Sequence, residues 1–401
     1  RCEVHTNMRE NAFWLVFLAL VGLLLTSCIP ASQAGEPPTV TPRPTQALSG
    51  SVQAGEMEEL VNVNERLKDI PVSEFQVNGD VALAITEKDG QTNLIAINLR
   101  TGEVAGLDAP LSVSNRWATT ERYFAWTISD APDDPTRSLH VYDIHTDEEF
   151  TVEGEGLSQC CADVSGDVVV WSEIHAGRGG DIYAYDISSR ELIPVVTRSL
   201  GQAYPNVEGE WVVYLEDKHS DDSRNPMRDL YLHNLATGED MFISPSPYAA
   251  DLKGDTYGID NGRVVWKGWA IGEQPTSEGP LPTLHVYDLE TRTESVLDLS
   301  PVCTSIPVSF KMAGDLILFS CEGFYGCYDL AQDIFFDVPH PEHGIGSLYF
   351  SETYVVFRIQ AQRESFWDYL MTPGASPMPP EEDWLTPQPR QYRLFVVPIT
   401  R

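Results

Sequence analysis

Basic residues are scarce in this chain: 26 Lys and Arg stand against 60 Asp and Glu among 401 residues, a formal net charge of -34. Arg1 and Arg9 are matched by Glu3 and Glu10 within residues 1–27, so the whole excess lies beyond them. A field of that sign disfavours nucleic acid and anionic lipid headgroups. It suits cations, basic partners or, most plainly, a solvated acidic surface. Long apolar runs are also few. Ala12–Leu25 is short for a comfortable bilayer crossing. There is no Cys-x-x-Cys with histidine, which argues against a zinc site. No calcium-loop spacing is present, and no G-x-S-x-G elbow precedes a helix.

What the chain does contain is a repeat. Asp163 to Val195, DVSGDVVVWSEIHAGRGGDIYAYDISSRELIPV, reads as four short strands punctuated by Gly, Ser and Asp. An aromatic residue ends the second strand here at Trp171, and recurs at Trp126, Tyr214, Trp266, Phe319 and Phe357; Ala84 holds that place in an earlier copy. The third strand recurs as NLIAIN, SLHVYD, DIYAYD, DLYLHN, TLHVYD, GCYDL and YRLFVVP. Copies of this size are propeller blades, and the expected fold is all-β: a seven-bladed β-propeller. The last copy stops after its third strand at Pro398–Arg401. Ahead of the first lies Leu60–Phe75, from which Leu67–Val72 is the expected source of the missing strand. Pairing the two termini would remove a costly open edge.

The expected organisation is residues 1–27 as a signal peptide, with those before Met8 reflecting an upstream start, then 28–56 as a linker and 57–401 as the propeller. Ala12–Leu25 fits a signal-peptide core. Leu25-Thr26-Ser27-Cys28 resembles a bacterial lipobox, which implies cleavage before Cys28, acylation there and a membrane-tethered extracytoplasmic protein. Ile29 offers no resemblance to the Asp signal for inner-membrane retention. Pro30–Glu56, dominated by Pro, Thr, Ser and Gly, is expected to be a disordered tether.

Beyond Cys2 and Cys28, five cysteines remain in a compartment that permits disulfides. Cys321 and Cys327 could bridge a hairpin, with Cys303 an alternative partner for either. Cys160-Cys161 could form a vicinal disulfide, or one of them could pair elsewhere.

The turns after the first and third strands are minimal, whereas the other connections are long, and long loops on a rigid scaffold are where binding sits. The candidate site is therefore the long-loop face. The carboxylates and amides at Asn98, Asp143, Asp186, Asn234, Asp288 and Asp329 recur beside turns, where such side chains bond their own backbone. That role is structural. His175 and Arg178 in one loop, and His219, Asp221, Asp222 and Arg224 in the next, could grip a polar ligand or a divalent cation; a solvated loop is the plainer reading. His340 and His343 lie on a Pro-containing loop and lack the helical register of a metal motif. Trp367 and Trp384 in the Ile359–Gln391 insertion, like Trp269, could stack on sugar rings, contact a protein or cover the channel.

The copies, especially GDVVVWSEIHAGRGGDIYAYDISSREL and GEWVVYLEDKHSDDSRNPMRDLYLHNL, resemble TolB-like propeller repeats from about Val77 onward. They depart from TolB in having S-G-D or E-G-E where S-P-D-G is typical, and no separate N-terminal α/β domain is evident. The resemblance implies the fold. The functional expectation is a monomeric, surface-tethered propeller binding a protein or carbohydrate, with no assigned cofactor. Two alternatives remain: a propeller hydrolase or lyase with a metal or Asp/His site at the central channel, and an envelope-assembly accessory.

Overall fold

The second strand of each copy is apolar at consecutive positions rather than alternate ones, because both of its faces are covered. In Val168–Ile174, Val169 and Trp171 pack with Tyr123, Ala125, Leu139 and Val141 of the preceding copy. Val170, pointing the other way, packs with Val207, Val212 and Tyr214 of the next. A sheet buried on both sides loses the usual polar alternation. Repeated around the chain, that requirement produces blades stacked face to face.

The computed structural model describes residues 41–42, 53–67, 72–88, 91–110, 117–128, 136–176, 179–217, 228–246, 256–268, 283–299, 302–303, 309–321, 324–341, 345–360 and 392–400. All belong to one compact unit, Thr39–Arg401. Seven antiparallel sheets form the blades. Blade 1 runs from Val72 to Pro110, blade 2 from Trp117 to Val152, blade 3 from Ser158 to Val196 and blade 4 from Gln202 to Ser246. Blades 5, 6 and 7 run from Tyr257 to Asp298, Ser309 to Asp337 and Ile345 to Thr400. Each first strand touches the first strands of the blades before and after it, and Ile345–Phe350 touches Val72–Asn78. The fold is therefore a closed seven-bladed β-propeller.

The ends of the chain meet, but through a different segment from the one expected. Gln53–Ala54 and Glu58–Glu59 pair antiparallel with Tyr392–Thr400, in registers Gln53↔Thr400 and Glu58↔Val396. Leu67 instead ends a short helix, Val61–Leu67, and Val72 begins the first strand of blade 1. The physical reason is burial. Val72 and Phe75 are 4% and 3% exposed and belong in the core, whereas polar Gln53 and Glu58 suit an outer edge open to water. Gly55 lets the clasp lie close: its N–H donates to the Pro398 carbonyl at 2.7 Å, and a Cβ there would meet Pro398 Cγ at 2.7 Å. Val63 is wholly buried at the seam between blades 7 and 1, and Asn64 Oδ1 accepts the Leu394 N–H at 2.8 Å. The ordered clasp thus begins inside the stretch read as linker. Thr41–Pro42 of that stretch also pairs, parallel, with the outer strand of blade 5.

The disulfide also differs from the first expectation. Cys303 bonds to Cys321, with a Cα–Cα distance of 5.8 Å. A Cys321–Cys327 bridge is barred by the pleat. Cys327 lies opposite Leu318 and packs with it toward blade 7, whereas Cys321 packs with Ile317 and Phe319 toward blade 5. The two cysteines occupy opposite faces of one sheet.

The recurring positions behave as their chemistry requires. Trp126, Trp171, Tyr214, Trp266, Phe319 and Phe357 are all at most 3% exposed. Opposite them on the third strand, His140 stacks on Trp126, Tyr183 on Trp171, Tyr231 on Tyr214 and His285 on Trp266. At the far end of that strand, Asn98, Asp143, Asp186, Asn234, Asp288 and Asp329 each accept a backbone N–H from the following turn.

Candidate functional site

Antiparallel strands place the connections of a blade alternately on two faces. The turns from first to second strand are tight and contain glycines in the left-handed region, including Gly79, Gly166, Gly209, Gly262 and Gly314. Such glycines suit two-residue hairpins. These turns are also fastened from blade to blade. Gly209 N–H donates to Ser165 Oγ at 3.2 Å, Gly262 N–H to Glu208 Oε2 at 2.9 Å, and Gly314 N–H to Asp260 Oδ2 at 2.8 Å. At the closing seam, Ser351 and Thr353 hydroxyls donate to the Gly79 carbonyl at 3.0 and 2.9 Å. Among the described residues, the strand ends that flank the second-to-third-strand loops and the links between blades lie on the opposite face.

On that long-loop face, His175 closes the base of its own loop. Its Nε2 lies 3.1 Å from an Asp181 oxygen, and the Asp181 side chain is 1% exposed. Leu157 and Ile174 lie beside this loop base, 55% and 47% exposed, and the Leu157 N–H donates to the Ile174 carbonyl at 2.8 Å. Each of these apolar side chains faces water. Arg178, His219, Asp221, Asp222, Arg224, Trp269, Trp367, Trp384 and the lipid-attachment candidate Cys28 lie outside the described residues.

A polar network not anticipated from the sequence runs from the link between blades 3 and 4 across blade 4. Arg198, in the link between them, pairs with Glu216 at 2.9 Å and Asp240 at 3.6 Å, and its guanidinium lies 5.4 Å from the Tyr231 ring centre. His233 Nδ1 is 2.9 Å from Asp240. Burial, reinforced by the Asp240 charge, raises the Tyr214 hydroxyl far above its ordinary value. The readable signal was an acid two residues after the recurring aromatic, which lies within the second strand rather than ending it as expected: Glu173 in blade 3 and Glu216 in blade 4. In blade 3 that acid accepts the Trp171 indole N–H at 2.9 Å.

The central channel holds the remaining chemistry. Its middle encloses about 370 Å³, lined by Gln76, Asp163, Asn206 and Lys311 together with Phe75, Tyr257, Phe310, Met312 and Tyr349. Lys311 Nζ lies 5.9 Å from the Tyr349 ring centre. At the mouth facing the short turns the channel widens to about 620 Å³, where Glu121, Asp163, Glu208, Asp260 and Glu352 gather. Asp163 is surrounded by protein except toward the channel, and that desolvation pushes its carboxyl up to about 6. The Val207 N–H, donating to Asp163 Oδ2 at 2.9 Å, opposes the rise but does not cancel it. Burial likewise raises Glu208, against the pull of the Gly262 N–H. Among the described residues, the channel lining therefore carries the Lys311 amine, the Gln76 and Asn206 carboxamides and the raised Asp163 carboxyl. No group of three His, Cys, Asp or Glu placed to hold a metal occurs among the described residues. No helix among them is long and apolar enough to cross a membrane.

The fold places the chain among seven-bladed propeller proteins. No family model matches it, and the comparison with curated proteins finds no match. Solved structures do match. The β-propeller domain of the Trilobed protease from Pyrococcus furiosus, described as having an open velcro topology, aligns with a TM-score of 0.53 at 13% identity, covering 73% of this chain and 91% of that one. Pyrococcus horikoshii acylaminoacyl peptidase aligns with a TM-score of 0.51 at 12% identity over 74% of this chain; this chain spans half, 50%, of that protein. An oligogalacturonate lyase in complex with manganese aligns with a TM-score of 0.51 at 12% identity, covering 91% and 98% of the two chains. TolB structures are also among the matches. At such identities the likeness is one of fold.

Proposed function

We propose that this protein is a surface-tethered, extracytoplasmic binding propeller, anchored through acylated Cys28 and recognising a protein or glycan with its long-loop face. The observation that carries this reading is the one-sided distribution of insertions. One face of the disc carries tight turns, several of them stapled blade to blade, and the strand ends that flank the long connections lie at the other. Leu157 and Ile174 supply exposed apolar surface on the second face. A rigid platform with variable loops on one side is what selective recognition requires, since a preformed surface lowers the entropic cost of association. The anchor and tether are inferred from residues 12–52, ahead of the clasp, and the protein acts as a monomer in this reading. The test is a glycan array and a cell-surface pull-down with the soluble propeller, compared with a Leu157→Asp/Ile174→Asp variant. Binding that falls at least tenfold in the variant supports the reading; unchanged binding removes this face from it.

Asp163 favours a second reading, an extracytoplasmic hydrolase or lyase working in the channel. A carboxyl titrating near neutrality in the same cavity as Lys311 suits proton transfer to or from a small polar substrate. Screening for turnover of glycosidic and ester substrates by the wild type and Asp163→Asn decides it. Turnover lost in the variant supports this reading, and turnover equal in both ends it.

A further inference from the structure

Cys160 and Cys161 are adjacent in sequence, and their sulfur atoms stand 3.0 Å apart. The scaffold puts them there. The first strand of blade 3 bulges between Cys160 and Asp163, with Cys161 in the left-handed region at φ 60°. Blade 4 repeats the device without cysteine: its first strand bulges between Ala203 and Asn206, with Tyr204 at φ 57°. The conformation is thus a property of the blade, and the two thiols are presented side by side by a pre-existing bulge. Both are partly exposed, whereas Cys303, Cys321 and Cys327 are at most 2% exposed. They lie in the half of the strand nearer the long-loop face.

We propose that Cys160 and Cys161 form a redox-labile dithiol site that closes reversibly to a vicinal disulfide by exchange with a low-molecular-weight disulfide. One thiol loses its proton, and the thiolate attacks the sulfur–sulfur bond of the reagent, releasing one small thiolate and leaving a mixed disulfide. The second cysteine, also deprotonated, attacks the protein sulfur of that bond, and a second small thiolate leaves. The two released thiolates take up the two protons. The protein loses two electrons and two hydrogens, and the reagent is reduced to two thiols.

The bond so formed is easily reopened for a geometric reason. Adjacent Cα atoms are about 3.8 Å apart, while disulfides ordinarily span about 4.4–6.8 Å. Strained and accessible disulfides have the more oxidising potentials and are the labile ones. Cys303–Cys321, at 5.8 Å and buried, meets neither condition. The protein therefore carries one durable bridge and one reversible one. Closing the ring would also restrain the bulge that directs Asp163 toward the Val207 N–H of blade 4.

The test uses the purified full chain, treated with oxidised glutathione and then with graded dithiothreitol, alkylated with iodoacetamide and mapped by mass spectrometry. The expected result is a peptide containing residues 160 and 161 that is two hydrogens lighter and carries no alkyl group or glutathione. It should reopen at a dithiothreitol level that leaves Cys303–Cys321 intact. Cys160→Ser should accumulate the glutathione adduct at Cys161 that the wild type discharges. Stable glutathionylation of the wild type, independent alkylation of both residues after oxidation, or reopening only together with Cys303–Cys321 would overturn the proposal. The wild-type map alone suffices should the serine variant not fold.

Discussion

Replacing Asp163 by Asn offers a perturbation whose sign and size follow from the structure. The carboxyl is raised from 3.8 to about 6 because it is desolvated in the channel wall. A carboxyl whose folded value is raised holds its proton more tightly in the folded state. Stability is therefore greatest when it is protonated, and falls as the pH rises from the unfolded value through the folded one. With about 1.36 kcal/mol per pH unit, a rise of roughly two units costs up to about 3 kcal/mol once the group is ionised. Water in the channel screens part of this, so the figure is an upper bound. Asparagine keeps an oxygen to accept the Val207 N–H and carries no charge. Asp163→Asn is expected to match wild type near about pH 4, and to gain on it progressively until about pH 7, where it is more stable by as much as about 3 kcal/mol. Urea unfolding of both proteins across that range measures the difference. A difference that stays flat, or a wild type that gains on the variant as the pH rises, would refute the reasoning.

Reducing the Cys303–Cys321 bridge, or replacing both cysteines by alanine, should lower stability by about 3 kcal/mol, the value for a loop of this size. Cys327→Ser should leave the bridge intact on a non-reducing peptide map. Removing residues up to Glu59 uncovers the edge of Tyr392–Thr400; lower thermal stability and concentration-dependent association are expected in light scattering. Trp171→Ala should cost about 3–5 kcal/mol in urea unfolding, since the side chain is 0% exposed between blades 2 and 3.

The ring was legible in the sequence because its determinants are local and repeated. An aromatic in six of the seven second strands and an Asp or Asn ending six of the seven third strands mark blade after blade, and one role is buried stacking while the other is a turn. The clasp was harder to place. Gln53–Ala54 and Glu58–Glu59 are two-residue pairings with no apolar period, and only Tyr392–Thr400 across the closure reveals them as strands. The disulfide depended on pleat parity, which proximity in sequence obscures: Cys327 is nearer to Cys321 than Cys303 is, yet faces the wrong way. Asp163 is not singled out by the sequence because its importance comes from the channel, which exists only once seven first strands have met. A trace of it was present: QCCADV and QAYPNV both place an acid or amide four residues after glutamine, and the structure sets Asp163 and Asn206 in the same cavity. Among the loop candidates, His175 pairs with a buried acid at its loop base.

Photo-crosslinkers placed at Leu157 and at Ser189, at opposite ends of the strands of blade 3, test one-sided recognition most directly in cells producing the full chain. The account predicts a discrete adduct, with protein or glycan, from position 157 and none from position 189. An adduct formed from position 189 alone, or equally from both, would contradict it.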